Sequence, residues 1–219
     1  LLGERGGHIG LLALSTTGAE FRGEVQGLRQ PIDVGRCAVP CPVDWDGDGD
    51  VDIVVGGENG YIRYFERIAE QPPLFSAGKQ LVAGNEPIRA QGRVGVPDHL
   101  RYAWPALADA DSDGDLDMLL GQASGSTQLW VNNGGFRKPE DIAVAGSAFS
   151  LSGAGTVSAL DYDQDGDVDV FVGNRLVPGY LVGSHLAPET VIYLENAASR
   201  KPQPPVFVKA VRIDAFIRN

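Results

Sequence analysis

The chain has 219 residues, of which 43% are hydrophobic, and it carries a formal net charge of -11 at pH 7. It contains no run of about 18 apolar residues, so we expect a globular protein without a membrane span. Fifteen of the 29 acidic residues lie in three short segments, and the rest of the chain has 14 acidic against 18 basic residues. The acidity therefore has a local source, and we expect no nucleic-acid partner.

The opening residues resemble a stretch further along the chain. Residues 1–9 superpose on residues 54–62, because both stretches place glycine at the third and seventh positions and isoleucine at the ninth. The chain is therefore expected to begin midway through a repeating unit. His8 lies at the position of Tyr61 and is interpreted as structural.

Two cysteines, Cys37 and Cys41, follow this opening segment. A disulfide between them would agree with an extracellular location, but it requires a turn at Val39 and Pro40 to bring the sulfur atoms together. Two packed thiols, or a metal or redox role, are the alternatives. The spacing of the two cysteines does not decide among the three.

Three nonapeptides share one pattern, D-x-D-x-D-G-D-[VL]-D, at residues 44–52, 109–117 and 161–169. A hard cation such as calcium takes six to eight oxygen ligands, and a glycine at the sixth position lets the loop turn around the ion. We predict three calcium sites, with the side chains at positions 1, 3, 5 and 9 and the main-chain carbonyl at position 7 as ligands. The predicted ligand residues are Asp44, Asp46, Asp48, Asp50 and Asp52, then Asp109, Asp111, Asp113, Asp115 and Asp117, then Asp161, Asp163, Asp165, Asp167 and Asp169.

The nonapeptide pattern has three other interpretations: an EF-hand, a magnesium site and an acidic loop without an ion. An EF-hand requires a glutamate at position 12 and flanking helices, but position 12 is Val55, Leu120 or Val172, so that motif is excluded. Magnesium usually keeps several waters and therefore needs fewer carboxylates. A solvated acidic loop without an ion would not explain why the spacing recurs three times.

The residues around each nonapeptide predict short strands. A strand of small residues precedes it, a strand ending in glycine follows it, and a third strand comes after a short turn. The predicted first strands are 41–43, 106–108 and 158–160, the second strands are 51–56, 116–121 and 168–173, and third strands lie at 61–65 and 126–131. An outer, fourth strand is predicted at 72–75 and again at 204–207.

These three loops, with their trailing apolar strands, resemble the FG-GAP and VCBS repeats of calcium-binding β-propellers. Literal Phe-Gly and Gly-Ala-Pro sequences are absent, so the chain is more similar to VCBS repeats of secreted and surface proteins. The resemblance implies an all-β propeller of four-stranded antiparallel blades, with calcium between strands 1 and 2 of each blade. It also implies a secreted, periplasmic or cell-surface location, where calcium is abundant.

The repeats divide the chain into about three and a half blades. Residues 1–36 are predicted to form a partial blade (strands 2–4), and residues 37–88, 89–148 and 149–219 to form blades that carry the first, second and third calcium loops. A propeller generally needs at least four blades. We therefore expect a fragment of a larger propeller, for example a seven-bladed one, whose remaining blades come from upstream sequence or from another chain.

Two long segments are predicted on the face opposite the calcium loops, because alternate turns of a blade lie on opposite faces. They run from about residue 83 to 103 and, as an insertion in the 2-3 loop of the last blade, from 173 to 193. Long ordered loops on a rigid scaffold are a usual place for binding. The candidate ligand-binding residues are Arg93, His99, Arg101, Tyr102, Arg175, Tyr180 and His185.

The leading hypothesis is a recognition or scaffolding module for an extracellular polysaccharide or protein ligand. The alternative is a polysaccharide lyase with purely structural calcium, in which Arg101 neutralises a uronate while His99 or Tyr102 removes a proton in a β-elimination. Ordinary loop histidines and locally paired arginines would explain the same residues. No catalytic residue is assigned, and a purely structural role in assembly also stays open.

Two further predictions concern aromatic residues. Trp45 and Tyr162, at position 2 of their loops, could stack on a sugar ring, although Ala110 takes that position in the second loop. Trp130 aligns with Phe65 and Tyr193 and is predicted to belong to the core of a blade.

Overall fold

The computed structural model describes residues 1–92, 95, 97–151, 154–175, 191–197 and 204–213. The regular elements of these ranges are β-strands, which form four main sheets and two small ones, so the all-β prediction is confirmed. Within the same ranges, no helix is long and apolar enough to cross a membrane.

The first sheet contains the opening residues, with strand order β1-β2-β3. Leu2 pairs with Gly10 in this sheet. The residues that correspond to them in the later stretch, Val55 and Arg63, also pair, so the predicted superposition is confirmed. The strands of this part are β1 (Leu2–Gly3), β2 (Ile9–Ser15), β3 (Gly18–Glu24) and the short β4 (Gln26–Gly27).

The second sheet is four-stranded and antiparallel, in the order β5-β6-β7-β10. Its first two strands are joined by the first nonapeptide, because Val43 pairs with Asp52. The strands of this part of the chain, of which β8 and β9 form a small separate sheet with β4, are β5 (Val39–Val43), β6 (Asp52–Gly56), β7 (Arg63–Phe65), β8 (Arg67–Glu70), β9 (Pro73–Phe75), β10 (Lys79–Gln80), β11 (Val82–Ala83) and β12 (Glu86–Pro87). The last two form a separate small hairpin.

The third and fourth sheets repeat this plan. The third has the order β13-β14-β15-β16, and the fourth has β19-β20-β21-β22 with the hairpin β17-β18 added beside β22. The third contains β13 (Ala103–Ala108), β14 (Asp117–Gln122), β15 (Thr127–Trp130) and β16 (Glu140–Asp141), followed by β17 (Ala143–Val144) and β18 (Ser147–Ala148). The fourth contains β19 (Ala154–Leu160), β20 (Asp169–Arg175), β21 (Val191–Asn196) and β22 (Phe207–Arg212).

Glycine at the end of the second strand allows consecutive sheets to pack closely. A Cβ atom on Gly56 would lie 2.1 Å from the carbonyl oxygen of Ala103, at the start of the next sheet. The same atom on Gly121 would lie 2.1 Å from the oxygen of Gly155. No side chain fits at these distances, so glycine is required where one sheet meets the first strand of the next.

The apolar core consists of three clusters, each lying between two consecutive sheets. Ile53 and Val55 face the first sheet, whereas Val54 between them faces the third, as expected for a strand covered on both faces. The third cluster joins the third and fourth sheets through residues such as Leu119 and Val172. Sheets stacked face to face in chain order are the arrangement of neighbouring propeller blades, although the described sheets form no closed ring.

The predicted outer strand is wrong for the second sheet. Residues Pro73–Phe75 pair with β8 and, in parallel, with β4 of the preceding part, whereas β10 is the strand that borders β7. The apolar residues Leu74 and Phe75 after a proline suggested an outer strand. The strand that actually borders β7, Lys79–Gln80, has only two residues and no apolar pattern. In the fourth sheet the outer strand does begin at Phe207.

The predicted alignment of the core aromatics is also partly wrong. Trp130 lies opposite Met118, and Phe65 lies opposite Ile53. Met118 and Ile53 each come one residue after loop position 9, so Trp130 and Phe65 do correspond. Tyr193 lies opposite Phe171 and therefore corresponds to Tyr64. Trp130 itself is buried, as predicted.

The two cysteines are not joined by a disulfide. Cys37 donates to a carboxylate oxygen of Glu58 over 3.8 Å, and Cys41 lies in β5. Burial raises the pKa of the Cys41 thiol. Of the alternatives left open, this geometry corresponds to packed thiols.

Candidate metal centres

Each nonapeptide connects the first and second strands of its sheet. In all three hairpins, the residue before position 1 pairs with the aspartate at position 9, as in Ala108 with Asp117 and Leu160 with Asp169. The placement expected from the repeats is therefore found in all three sheets. We call residues 44–52, 109–117 and 161–169 the first, second and third metal hairpins.

The backbone of each hairpin turns at two left-handed residues. The glycine at position 6 has φ near +95° in all three, at Gly49, Gly114 and Gly166. Position 4 is also left-handed, although only Gly47 is a glycine there and Ser112 (φ 61°) and Gln164 (φ 63°) are not. The position-4 turn is a feature of the loop that the sequence pattern did not reveal.

Carboxylates inside each hairpin accept hydrogen bonds from the turning backbone. In the first hairpin, Asp44 accepts from the amides of Gly47 (2.9 Å) and Gly49 (3.1 Å). Asp46 accepts from the amide of Asp48, and Asp48 from that of Asp50. These local bonds bring the side chains toward the centre of the loop.

Three carboxylates converge in every hairpin, with one oxygen from each lying within 4.8 Å of the others. Negative charge is therefore concentrated at the centre of each hairpin. The converging groups are Asp44, Asp46 and Asp48 in the first hairpin, Asp109, Asp111 and Asp117 in the second, and Asp161, Asp163 and Asp165 in the third.

The aspartate at position 9 has a role that sequence reasoning missed. Asp52 is 1% exposed, and it accepts hydrogen bonds from the Trp45 amide (3.2 Å), the Tyr64 hydroxyl (3.0 Å) and the Arg67 amide (2.7 Å). These donors come from the loop, the third strand and the residue after it. Asp52 therefore joins the hairpin to the rest of its sheet.

The third hairpin uses the same arrangement, and the second uses a variant of it. Asp169 accepts from the Tyr193 hydroxyl (3.1 Å) and the Asn196 amide (2.9 Å). Asp117 accepts from the amides of Ala110 and Asn132, but Leu129 replaces the tyrosine, so no hydroxyl reaches it. Burial raises the pKa of Asp117 to about 6.

Position 7 supplies the strongest sign that a cation fits. Asp167 is 6% exposed, and neither of its carboxylate oxygens has a hydrogen-bond partner among the described residues. Burial, reinforced by the charges of Asp165 and Asp169, raises its pKa to about 6. A buried, unpaired carboxylate is costly, and a bound cation would remove that cost.

The donor set suits a hard divalent ion. Carboxylates and main-chain carbonyls are oxygen ligands of the kind that calcium takes in numbers of six to eight. The described parts of the hairpins contribute no histidine or cysteine, the ligands typical of zinc sites. The residues present therefore fit calcium, and such an ion would neutralise the carboxylates and fix the turn.

The other predicted site lies partly outside the described residues. Arg93, Tyr180 and His185 belong to the parts that are not described, and so does the side chain of Arg175. His99 is exposed in a turn. Tyr102, a left-handed residue with φ 43°, stacks on Trp104 with ring centroids 5.5 Å apart.

Arg101 is already engaged inside the protein. It forms an ion pair with Asp98 and donates to the carbonyl oxygen of Ala90. Arg89 forms a second ion pair with Asp98 at 3.1 Å and lies over the ring of Tyr61. These two arginines lower the pKa of Asp98, with Arg101 the larger cause. Both side chains are therefore engaged by Asp98.

The position-2 aromatics differ in exposure. Trp45 is half-buried against Tyr64 and Phe136, with centroids 5.6 and 5.8 Å away, so its ring belongs to the interface between two sheets. Tyr162 is 59% exposed. Only Tyr162 offers a ring face of the kind proposed for sugar stacking.

Comparison with known families finds an FG-GAP-like repeat over residues 109–172. The matched range begins at the first aspartate of the second metal hairpin and ends inside β20, so it includes the third hairpin. No curated protein matches the chain. The repeat, together with the stacked sheets, indicates a propeller-like module.

Proposed function

We propose that this chain is part of a secreted, periplasmic or cell-surface calcium-binding β-propeller that recognises or scaffolds an extracellular polysaccharide or protein. The observation that carries the proposal is the convergence of three carboxylates in each hairpin. The FG-GAP-like repeat supports the module class, because such repeats are common in extracellular ligand-binding proteins. In this proposal calcium has a structural role.

The energetics of the hairpins support calcium binding. Two carboxylates about 4 Å apart repel by roughly 1 kcal/mol even in water, and each hairpin brings three together. An ion present at about 100 times its dissociation constant stabilises the folded state by roughly 2.7 kcal/mol per site. Three sites would thus supply free energy comparable to the net stability of an ordinary domain, about 5 to 15 kcal/mol.

A calorimetric titration of chelator-stripped protein with calcium tests this proposal. We expect three bound ions per chain and a higher melting temperature, with a weaker effect from magnesium. Asp46→Asn, Asp111→Asn and Asp163→Asn should each remove one site, whereas Glu20→Gln, at an exposed carboxylate paired with Arg22, should remove none. Absence of binding, or a melting temperature that chelation leaves unchanged, would refute it.

We also propose that a further sheet covers the outer face of the fourth sheet. Trp45 of the second sheet is covered by Phe136 of the third. Ala110, at the same loop position in the third sheet, lies in one cluster with Phe207 of the fourth. The equivalent Tyr162 is 59% exposed. The covering blade would come from sequence outside the chain or from another chain, and the mass of the intact native protein distinguishes the two.

The lyase alternative gains no support from the described residues. Arg101, its candidate for uronate binding, is paired with Asp98. Incubation with acidic polysaccharides, followed by ultraviolet absorbance, would detect the C=C bond of a lyase product. We therefore retain the recognition or scaffolding role as the proposal.

A further inference from the structure

The three metal hairpins differ in which carboxylates converge. In the first and third hairpins, the converging group consists of the aspartates at positions 1, 3 and 5. In the second hairpin it consists of positions 1, 3 and 9, so Asp117 belongs to the group. All three hairpins carry aspartate at the same five positions. The difference therefore lies in how the position-9 side chain is held, and not in the type of residue.

In the second hairpin, the position-9 carboxylate is held by the loop itself. The Oδ2 atom of Asp117 accepts hydrogen bonds from the amides of Ala110 (3.0 Å) and Asp111 (3.3 Å), at positions 2 and 3. Its Oδ1 atom accepts from the amide of Asn132 (2.8 Å), after the third strand. Because both donors to Oδ2 belong to the loop, this oxygen stays beside the carboxylates of positions 1 and 3.

In the other two hairpins, a tyrosine of the third strand holds the position-9 carboxylate. The Oδ2 atom of Asp52 accepts from the position-2 amide (3.2 Å) and from the hydroxyl of Tyr64 (3.0 Å). The Oδ2 atom of Asp169 likewise accepts from the position-2 amide (3.3 Å) and from the hydroxyl of Tyr193 (3.1 Å). One of the two donors to Oδ2 thus lies outside the loop and draws the carboxylate toward the third strand.

The tyrosines and Leu129 occupy equivalent positions of their sheets. Each pairs with the residue that comes two places after the position-9 aspartate, and each is buried, with 7% of its surface exposed. A buried tyrosine requires a partner for its hydroxyl, and the position-9 carboxylate is that partner in the first and third hairpins. A leucine makes no such demand, so Asp117 is left to the loop amides.

This difference affects how well each hairpin is prepared for a cation. In the second hairpin, position 9 already lies in the converging group. In the first and third, an ion that recruits position 9 competes with the tyrosine hydroxyl for the same oxygen. Groups that already have the bound arrangement bind more tightly than groups that must rearrange.

We propose that Tyr64 and Tyr193 are positioning residues that lower the calcium affinity of the first and third hairpins by holding the position-9 carboxylate away from the ion. The second hairpin, which has Leu129 at the same strand position, is then the tightest site and fills first as calcium rises. The inference rests on the calcium sites proposed above and adds the residue that ranks them.

Calorimetric titration of the chelator-stripped chain with calcium chloride tests the ranking. We expect one tighter and two weaker sites, with the tighter one lost in Asp111→Asn and a weaker one lost in Asp163→Asn. Tyr64→Phe and Tyr193→Phe should each tighten one weaker site about tenfold, because the competing hydroxyl is removed. Tyr61→Phe, whose ring contacts Arg89, is the matched control and should leave all three affinities unchanged.

The second hairpin allows the converse experiment. Leu129→Tyr should weaken the tightest site, because the new hydroxyl draws Asp117 toward the third strand. Leu129→Phe introduces a ring of the same size without a hydroxyl and should leave the affinity higher than Leu129→Tyr does. Equal affinities in these two variants would show that packing, and not the hydroxyl, acts on the site, and would overturn the proposal.

Urea denaturation in chelator distinguishes positioning from a purely structural role. Tyr64→Phe and Tyr193→Phe each remove a buried hydrogen bond, so both should be less stable than wild type in chelator although they bind calcium more tightly. A purely structural tyrosine would lower both quantities. Three equal affinities, or tyrosine variants whose calcium affinity falls or stays the same, would refute this inference while the calcium proposal stands. A chain that binds no calcium would refute the proposed function itself.

Discussion

The metal hairpins and the segment around Asp98 show two opposite ways of arranging charge. In each hairpin, one oxygen from each of three carboxylates lies within 4.8 Å of the others, so like charges are held together. Around Asp98, by contrast, one carboxylate is shared by Arg89 and Arg101, so opposite charges are paired inside the protein. Like charges held together in a fixed geometry indicate a ligand, whereas internally paired charges indicate local structure.

The comparison also divides the aspartates within a hairpin. Asp52, at position 9, has three donors and is a structural acceptor, whereas Asp46, at position 3, is exposed and lies near two other carboxylates. The same residue type therefore has two roles within nine residues. Substitution at each position should separate them.

The largest effect is expected for Asp52→Ala. This change leaves the Trp45 amide, the Tyr64 hydroxyl and the Arg67 amide without their acceptor in a buried position. Since each unpaired buried donor costs about 1 to 3 kcal/mol, we expect the free energy of unfolding to fall by about 3 kcal/mol or more. Urea denaturation in chelator measures this loss without any contribution from an ion.

Asp48→Ala is the matched control, because Asp48 is exposed and accepts one local hydrogen bond, from the Asp50 amide. Its loss in chelator should stay below about 1 kcal/mol. Equal losses for the two variants would contradict the division between structural and ligand aspartates.

The second effect is a change of sign in Asp46→Asn. In chelator, the substitution removes repulsion from Asp44 and Asp48 and should stabilise the protein by roughly 1 kcal/mol. In calcium at about 100 times the dissociation constant, it should instead destabilise by up to about 2.7 kcal/mol, because one site is lost. Melting curves in both buffers measure the reversal.

Glu20→Gln, which removes an exposed acid paired with Arg22, should show no reversal. If the difference in stability between Asp46→Asn and wild type is the same in chelator and in calcium, the first metal hairpin binds no ion.

The sequence predicted the hairpins well because their information is local. A fixed spacing of aspartates and glycine places each loop between two paired strands. Gly56 ends its strand as predicted, whereas β14 continues one residue past Gly121 and β20 two residues past Gly173. The outer strands were not predictable in the same way. Lys79–Gln80 and Glu140–Asp141 have two residues each, and pairing with the neighbouring strand, not any apolar pattern, defines them.

The candidate site was predicted only in part for a similar reason. The pattern treats all aspartates of a hairpin alike, whereas the burial of Asp52 and Asp117 depends on strands further along the chain. A signal was present for Asp52, since Tyr64, twelve residues after Asp52, and Tyr193, 24 residues after Asp169, lie at equivalent positions of their third strands.

The third prediction concerns the left-handed residue at position 4 of the hairpins. Ser112→Gly should stabilise the second hairpin by about 1 kcal/mol, since glycine adopts positive φ without steric cost. Gly47→Ala should destabilise the first hairpin by about the same amount, and it would meet no neighbouring atom within 4 Å that could cause the effect otherwise. Urea denaturation of both variants measures the pair, and shifts of the same sign would contradict the backbone explanation.

The smallest effect is expected at Asp98, and it should depend on pH and not on calcium. Arg101 and Arg89 hold its pKa below the unfolded value of 3.8, so the charged form is favoured in the folded protein. A lowered carboxylate pKa contributes stability above the unfolded pKa, and this contribution disappears as pH falls through the folded value. Asp98→Asn should therefore melt slightly below wild type at neutral pH.

The difference between Asp98→Asn and wild type should shrink as pH falls below about 3.8 and vanish below the lower pKa of the folded protein. Because the Asp98 side chain is 66% exposed, salt should also reduce the difference. Melting temperatures across pH, with and without calcium, distinguish this behaviour from that of the hairpins. A calcium-dependent shift in the melting temperature of Asp98→Asn would mean that the segment around Asp98 is coupled to the metal hairpins. The contrast between the two regions would then fail.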